Sequence, residues 1–303
     1  MRKRKPSFSR GKKKVEDKQD SFNSKDNRKA SFKKQKDNRR TSPKPPEYSQ
    51  RFVKAINKIE KNEEKTTIRL NKYIANAGVC SRRDADALIA SGQITVNNKV
   101  VNEMGFQVSL SDVVKHRGKV LKREKYVYVL LNKPKGFITT MEDPQGRRTI
   151  MDLVSNACEE RIYPVGRLDK ETTGLIMLTN DGDLAKKLSH PSGKTQKIYH
   201  VELDKPITSK DFETIVHKTF ELEDGPVDLD GINIISDDKR RLGVELHSGR
   251  NRIVRRMFEH FKYEVTKLDR TVFAGLTKLD LPRGNWRYLT EKEVIRLKHF
   301  QKI

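Results

Sequence analysis

Gly166-Arg167-Leu168-Asp169-Lys170-Glu171-Thr172-Thr173-Gly174-Leu175 joins a turn to an apolar strand and is the densest candidate for chemistry in the chain. Turn chemistry alone can account for it: the glycines permit positive φ, and Asp169 can cap nearby backbone donors. Outward from this stretch the apolar patterning predicts strands at Leu175 to Thr179, Tyr126 to Leu131, Tyr199 to Leu203, Ile232 to Ile235 and Leu242 to His247. A helix is predicted after Asn251, with Ile253, Val254, Met257, Phe258 and Phe261 in one stripe. A second begins at Thr290, where Glu293 completes a capping box. Many strands with few helices, and no regular alternation between them, predict an α+β fold built on a mixed sheet.

Gly249-Arg250-Asn251-Arg252-Ile253-Val254-Arg255-Arg256 places four arginines at a predicted helix start. A helix N-terminus favours negative charge, so each arginine there is locally unfavourable unless an anion is close. Arg255 and Arg256 flank the apolar stripe on opposite sides, and either can lie half buried and reach a carboxylate. Arg250 and Arg252 then remain for an outside anion such as a phosphate. A solvated basic face is the plainer alternative.

Upstream lies a smaller unit. Leu70, Tyr73, Ile74 and Ala77 fall at helical spacing with Gly78 as a stop. Ser81 opens a second helix with Asp84 three residues on, and Gly92 ends it. Ile94, Val96, Val100 and Val101 form two short strands around Asn97-Asn98, a hairpin turn. Lys72, Arg82, Arg83 and Lys99 ring these elements, as ordinary surface charge or as a phosphate-facing patch.

The 303 residues carry 65 Lys and Arg against 41 Asp and Glu, a net charge of +24, which favours a polyanionic partner. Met1 to Lys65 holds 23 basic and 9 acidic residues with few aliphatics, and Pro43, Pro45 and Pro46 mark an extended stretch. Residues 1–65 therefore read as a disordered basic arm, solubilising or RNA-contacting. Two cysteines, Cys80 and Cys158, build neither a zinc site nor a disulfide framework. The longest apolar run is too short to span a bilayer, and a cytoplasmic location is expected. His190 and His247 lack a nearby Cys or acidic partner in the sequence and read as structural. Cys80 and Trp286 read as packing residues.

Two resemblances complete the reading. Arg69-Leu70-Asn71-Lys72-Tyr73-Ile74-Ala75, Ala77 to Arg83 and Gly92 to Asn97 resemble the S-four RNA-binding domain. Gly166 to Leu178, Lys197-Ile198-Tyr199-His200-Val201, Gly249 to Met257 and Asn132-Lys133-Pro134-Lys135-Gly136 resemble, in order, the motifs of pseudouridine synthases that carry such a domain. Asp143-Pro144-Gln145-Gly146-Arg147 and Gly284 to Thr290 fit the same family.

The resemblance implies a basic arm at 1–65, an S-four-type domain at 66–125 with Arg69, Lys72, Arg82, Arg83 and Lys99 on RNA, and a catalytic domain at 126–303. It also implies isomerisation of uridine to pseudouridine in ribosomal RNA, of the large subunit by the Asp143 to Arg147 segment. Asp169 matches the family's essential aspartate, Tyr199 the tyrosine that packs against the target base, and Arg255 the basic partner of the aspartate. Arg167 is expected to hold the flipped nucleotide. The reaction breaks the base–ribose bond, turns uracil and rejoins it through carbon, so neither metal nor cofactor is expected. A monomer acting on ribosomal RNA or an assembly intermediate is expected. The rivals are a non-catalytic assembly factor, against which an intact Asp169, Tyr199 and Arg255 speak, and an RNA hydrolase, which would need metal ligands or paired carboxylates.

Overall fold

The computed structural model describes residues 45–63, 67–109 and 111–299. The arm expected over residues 1–65 lies largely outside these, at 1–44 and 64–65, but its last part is corrected. Gln50–Glu63 forms helix α1, and Tyr48, Phe52 and Ile56 recur every four residues, so they share one face. Phe52 and Ile56 are each 5% exposed and pack in one core with Leu184, Leu289 and Leu297. Ser49 accepts from the Phe52 amide at 3.2 Å and donates through Oγ to Glu291 at 3.0 Å. The surrounding Arg51, Lys54 and Lys58 make this stripe look like more solvated tail. Phe52→Ala is expected to lower folding stability by roughly 3 kcal/mol, the range for truncating a buried aromatic, as read by denaturant unfolding. An unchanged midpoint would place α1 outside the core.

The next segment follows the local signals closely. Strand β1 (Thr67–Arg69) leads into α2 (Leu70–Asn76) and α3 (Arg82–Ala90). Ser81 caps α3 by accepting from the Asp84 amide at 3.2 Å. Strands β2 (Ile94–Val96) and β3 (Lys99–Val100) are joined by Asn97 and Asn98 at φ 49° and 66°, the left-handed pair that a two-residue hairpin needs. Strand β4 (Gln107–Ser109) pairs with β1; β5 (Val114–His116) and β6 (Lys119–Val120) complete a sheet in the order β3-β2-β5-β6. Leu70, Ile74, Ile89, Ile94 and Val114 fill its core. This segment touches the following one through Lys72 Nζ on Asp183 at 2.7 Å. Asn180 adds to the junction by accepting from the Val127 amide and donating to the Lys125 carbonyl, both at 2.9 Å.

The larger segment begins with β7 (Tyr128–Lys133), α4 (Ile150–Val154), β8 (Tyr163–Pro164) and β9 (Thr173–Thr179). Then come α5 (Gly182–Ser189), β10 (Lys197–Leu203), α6 (Ser209–Val216), β11 (Glu221–Leu222), β12 (Gly225–Pro226), β13 (Leu229–Ile234) and β14 (Arg241–Leu246). The end is α7 (Ile253–His260), β15 (Val265–Phe273), β16 (Leu276–Thr277), β17 (Trp286–Tyr288) and α8 (Glu291–Lys298), the last with the expected Thr290–Glu293 capping box. The main sheet runs β13-β14-β10-β15-β9-β7-β17. Its β15–β9 pair is parallel and its other pairs antiparallel, which makes the sheet mixed. Every residue of β7 and β9 is buried, so both faces of the sheet centre are covered. The nine-residue β15 sits between β9 and β10, and the sequence patterning had not singled it out.

Candidate active site

The turn that precedes β9 is fastened on both sides of Asp169. Thr139 Oγ1 donates to the Leu168 carbonyl at 2.8 Å and accepts from its amide at 3.2 Å, while the Leu168 side chain is buried. On the other side the Lys133 ammonium, fully buried at the end of β7, donates to the carbonyls of Thr172 at 2.7 Å, Pro134 at 3.1 Å and Lys170 at 3.2 Å. Burial pulls the Lys133 ammonium down to about 8, and the charges of Glu171 and Asp169 oppose that pull. Asp169 itself is half-buried, and its carboxylate has no hydrogen bond or ion pair among the described residues. A rigid loop thus presents an uncommitted carboxylate.

That carboxylate lines an open cleft whose empty space, mouth included, is about 1010 Å³. Tyr199 from β10 lines the same cleft, half-buried, and also packs against the core. Arg167, Arg250 and Arg252 also line the cleft, Arg167 and Arg252 being exposed. The sequence-predicted catalytic, base-packing and nucleotide-holding residues therefore meet in one place.

Arg255 does not line the cleft. It donates through Nη1 to the Val265 carbonyl at 2.7 Å, and its Nε is buried without an acceptor. Burial, then the charge of Arg252, lowers its guanidinium pKa, and Asp169 and Glu171 act in the opposite direction. Arg255 thus feels the Asp169 charge without a direct ion pair.

Arg250 departs from expectation. Rather than remaining free it grips Asp224, with Nε at 2.9 Å, and Arg256 grips the same carboxylate at 2.9 Å through both terminal nitrogens. The two arginines hold the Asp224 carboxyl well below the usual carboxylate range. Asp224 sits in the turn between β11 and β12, where no local pattern relates it to the basic motif. Arg252, at φ 47°, reaches Glu259 at 3.1 Å.

His247 is also corrected: it has acidic partners. Its Nε2 lies 2.7 Å from Asp228 and its Nδ1 2.9 Å from Asp230. Among the described residues these three are the group able to hold a metal ion, and both ring nitrogens of His247 face carboxylates. On the smaller segment Arg69, Arg82, Arg83 and Lys99 are exposed, whereas Lys72 is engaged by Asp183.

Sequence reasoning missed three cations. Lys133 stood inside a quoted motif with no role. Lys197 and Arg270 line the cleft, Lys197 Nζ donating to the His247 carbonyl at 2.6 Å and the Thr195 carbonyl at 3.0 Å. Burial, then the Arg270 charge, pulls the Lys197 ammonium down to about 8. The available signal for Lys133 was a basic residue closing an apolar run; Lys197 and Arg270 stand in strands of mixed polarity, where no such contrast marks them. Lys133→Met is expected to leave three carbonyls unsatisfied, lowering stability by about 1–3 kcal/mol and slowing turnover with RNA affinity retained. Full turnover in that variant would refute a role in holding the loop.

A family model described as RNA pseudouridylate synthase matches residues 127–260, and one described as S4 domain matches residues 68–114. The ribosomal large subunit pseudouridine synthase B of Bacillus subtilis is 43% identical over 76% of this chain and 95% of its own length. The dual-specificity RNA pseudouridine synthase RluF of Escherichia coli is 38% identical over 77% of this chain and 79% of its own. A crystal structure of a pseudouridylate synthase superposes with a TM-score of 0.53 at 26% identity, over 76% of this chain and 99% of that one.

Proposed function

Because this chain belongs to the RNA pseudouridylate synthase family, we propose that it isomerises a specific uridine of ribosomal RNA to pseudouridine with Asp169 as the catalytic carboxylate. The observation that carries this reading is a half-buried carboxylate on a clamped loop, without a hydrogen-bond or ion-pair partner among the described residues, in one cleft with Tyr199 and exposed arginines. In the reaction the C1′–N1 bond breaks and a C1′–C5 bond forms. C5 loses a proton and N1 gains one, so nothing is oxidised and no group is lost.

The chain's residues divide the work. Extruding a uridine from folded RNA costs on the order of a few kcal/mol, and stacking on the Tyr199 ring returns part of it. Arg167 and Arg252 meet the phosphates at the cleft mouth. Asp169 acts covalently on uracil or on C1′, or takes a proton from the sugar, and each role requires the ionised form. Arg255 lies near enough to feel the Asp169 charge without pairing with it. The S-four-type domain docks RNA through Arg69, Arg82, Arg83 and Lys99, and the basic residues 1–44 add sequence-independent attraction.

Large-subunit RNA is the proposed substrate, free or in an assembling particle. Support comes from the Asp143 to Arg147 segment, a turn closed by an Asp143–Arg147 ion pair at 2.6 Å, and from the large-subunit name of the Bacillus subtilis relative. A cytoplasmic monomer is the proposed form; none of the described helices is long and apolar enough to cross a membrane. Incubation with large- and small-subunit transcripts, followed by pseudouridine mapping, is expected to give a discrete new site in the large-subunit RNA. Modification of neither RNA overturns the reading; modification of the small-subunit RNA alone overturns the substrate.

A further inference from the structure

Arg270 lies within β15, between the two strands that carry or follow the reactive residues. Its register partner on β10 is Tyr199, and its parallel partner on β9 is Gly174. Residues directly opposite on antiparallel strands present their side chains on one face, with Cβ atoms about 5 Å apart. Arg270 and Tyr199 therefore stand side by side, and both line the cleft together with Asp169.

The guanidinium is under-used by the protein. Arg270 is 2% exposed, and its one hydrogen bond among the described residues runs from Nε to the Leu175 carbonyl at 2.7 Å. Its Nη2 is buried with no acceptor. No described carboxylate pairs with it. The adjacent Asp269 is committed to Thr173, at 2.8 Å, and to Lys278. The guanidinium packs instead over the Phe273 ring at 4.6 Å, and another cleft cation, Lys197, adds repulsion. A buried charge with spare donors is strongly unfavourable unless a ligand meets it.

Depth selects which part of a nucleotide that ligand is. Arg167 and Arg252 are exposed and suit phosphates, which keep their hydration at the mouth. Arg270 is sealed beside the ring on which the base stacks, so the group reaching it is the edge of the base. When the C1′–N1 bond breaks the electron pair stays with uracil, and the added charge spreads onto its O2 and O4 atoms. A donor already in place in a water-poor pocket stabilises that charge without reorganisation.

We propose that Arg270 is a base-binding residue, donating to a carbonyl oxygen of the extruded uracil and holding the base while it is detached and turns. The proposal rests on the pseudouridine synthase reading above. The test uses the full chain and RNA carrying uridine, 2-thiouridine or 4-thiouridine at the mapped target, since sulfur is the weaker acceptor. Single-turnover rates and RNA affinity are measured for the wild type and for Arg270→Met.

Arg270→Met is expected to slow the uridine substrate by roughly 10²–10³-fold, with affinity within about threefold. One sulfur replacement should slow the wild type and have little further effect in the variant, the non-additivity of a direct contact. Additive effects, or a wild type indifferent to both replacements, overturn the proposal. If Arg270→Met does not fold, Arg270→Lys, which keeps the charge and loses the fork, takes its place in the same cycle. A wild type that makes no pseudouridine in unmodified RNA overturns the functional reading itself, and the unmodified substrate separates that failure from the others.

Discussion

Asp169→Asn is expected to abolish pseudouridine formation, by roughly 10⁴-fold or more, while RNA affinity stays within about threefold and the melting temperature is unchanged. The size follows from the proposed role, in which Asp169 does the covalent or proton-transfer step. The specificity follows from geometry. The Asp169 carboxylate has no hydrogen-bond or ion-pair partner among the described residues, so the isosteric amide disturbs none of their hydrogen bonds. The loop around it is held by Thr139 and by Lys133, through backbone groups that the substitution leaves alone. Single-turnover assays, equilibrium RNA binding and thermal melting on the same preparation separate the three effects. Activity within tenfold of wild type would remove Asp169 from the chemistry.

Gly174→Ala is expected to have the opposite signature, a loss of fold together with function. Gly174 sits at φ +105°, and an added Cβ would lie 2.3 Å from the Arg270 carbonyl oxygen and 2.5 Å from its nitrogen. Both atoms are backbone, and neither strand can retreat: all seven residues of β9 are buried, and β15 is flanked by β9 and β10. Strained φ and a closed β9–β15 contact together should lower stability by more than about 3 kcal/mol. The effect should also displace Arg270 and the Asp169 loop, so residual folded protein should be slow. Gly166→Ala is the internal control. Gly166 also has a positive φ, +75°, but an added Cβ meets nothing within 4 Å, so only the backbone term of about 1 kcal/mol applies. Equal unfolding midpoints for the two variants would mean that close approach to Arg270 does not set the requirement for glycine.

The local elements were legible in the sequence because their signals act over three or four residues. Ser81 with Asp84, Asn97-Asn98 and Thr290 with Glu293 adopt the expected cap, hairpin and capping box. The order of motifs around Asp169, Tyr199 and the arginine-rich turn was likewise readable. The N-terminal helix was not: its apolar stripe lies among cations that match the tail before it, and Phe52 and Ile56 acquire meaning only against Leu184, Leu289 and Leu297.

By itself the sequence determined the α+β class and the two resemblances, and it singled out Asp169 and Tyr199, which line one cleft in the structure. Only the tertiary structure decided how the cations are assigned. Arg250 and Arg256 go to Asp224, Lys72 to Asp183, Lys133 beneath the Asp169 loop, and Arg270 beside Tyr199 with no carboxylate of the described residues paired to it. The reason is physical: capping and turn geometry are written within a few bonds of the residue, whereas a charge's partner is set by sheet register and by strands brought together from distant parts of the chain.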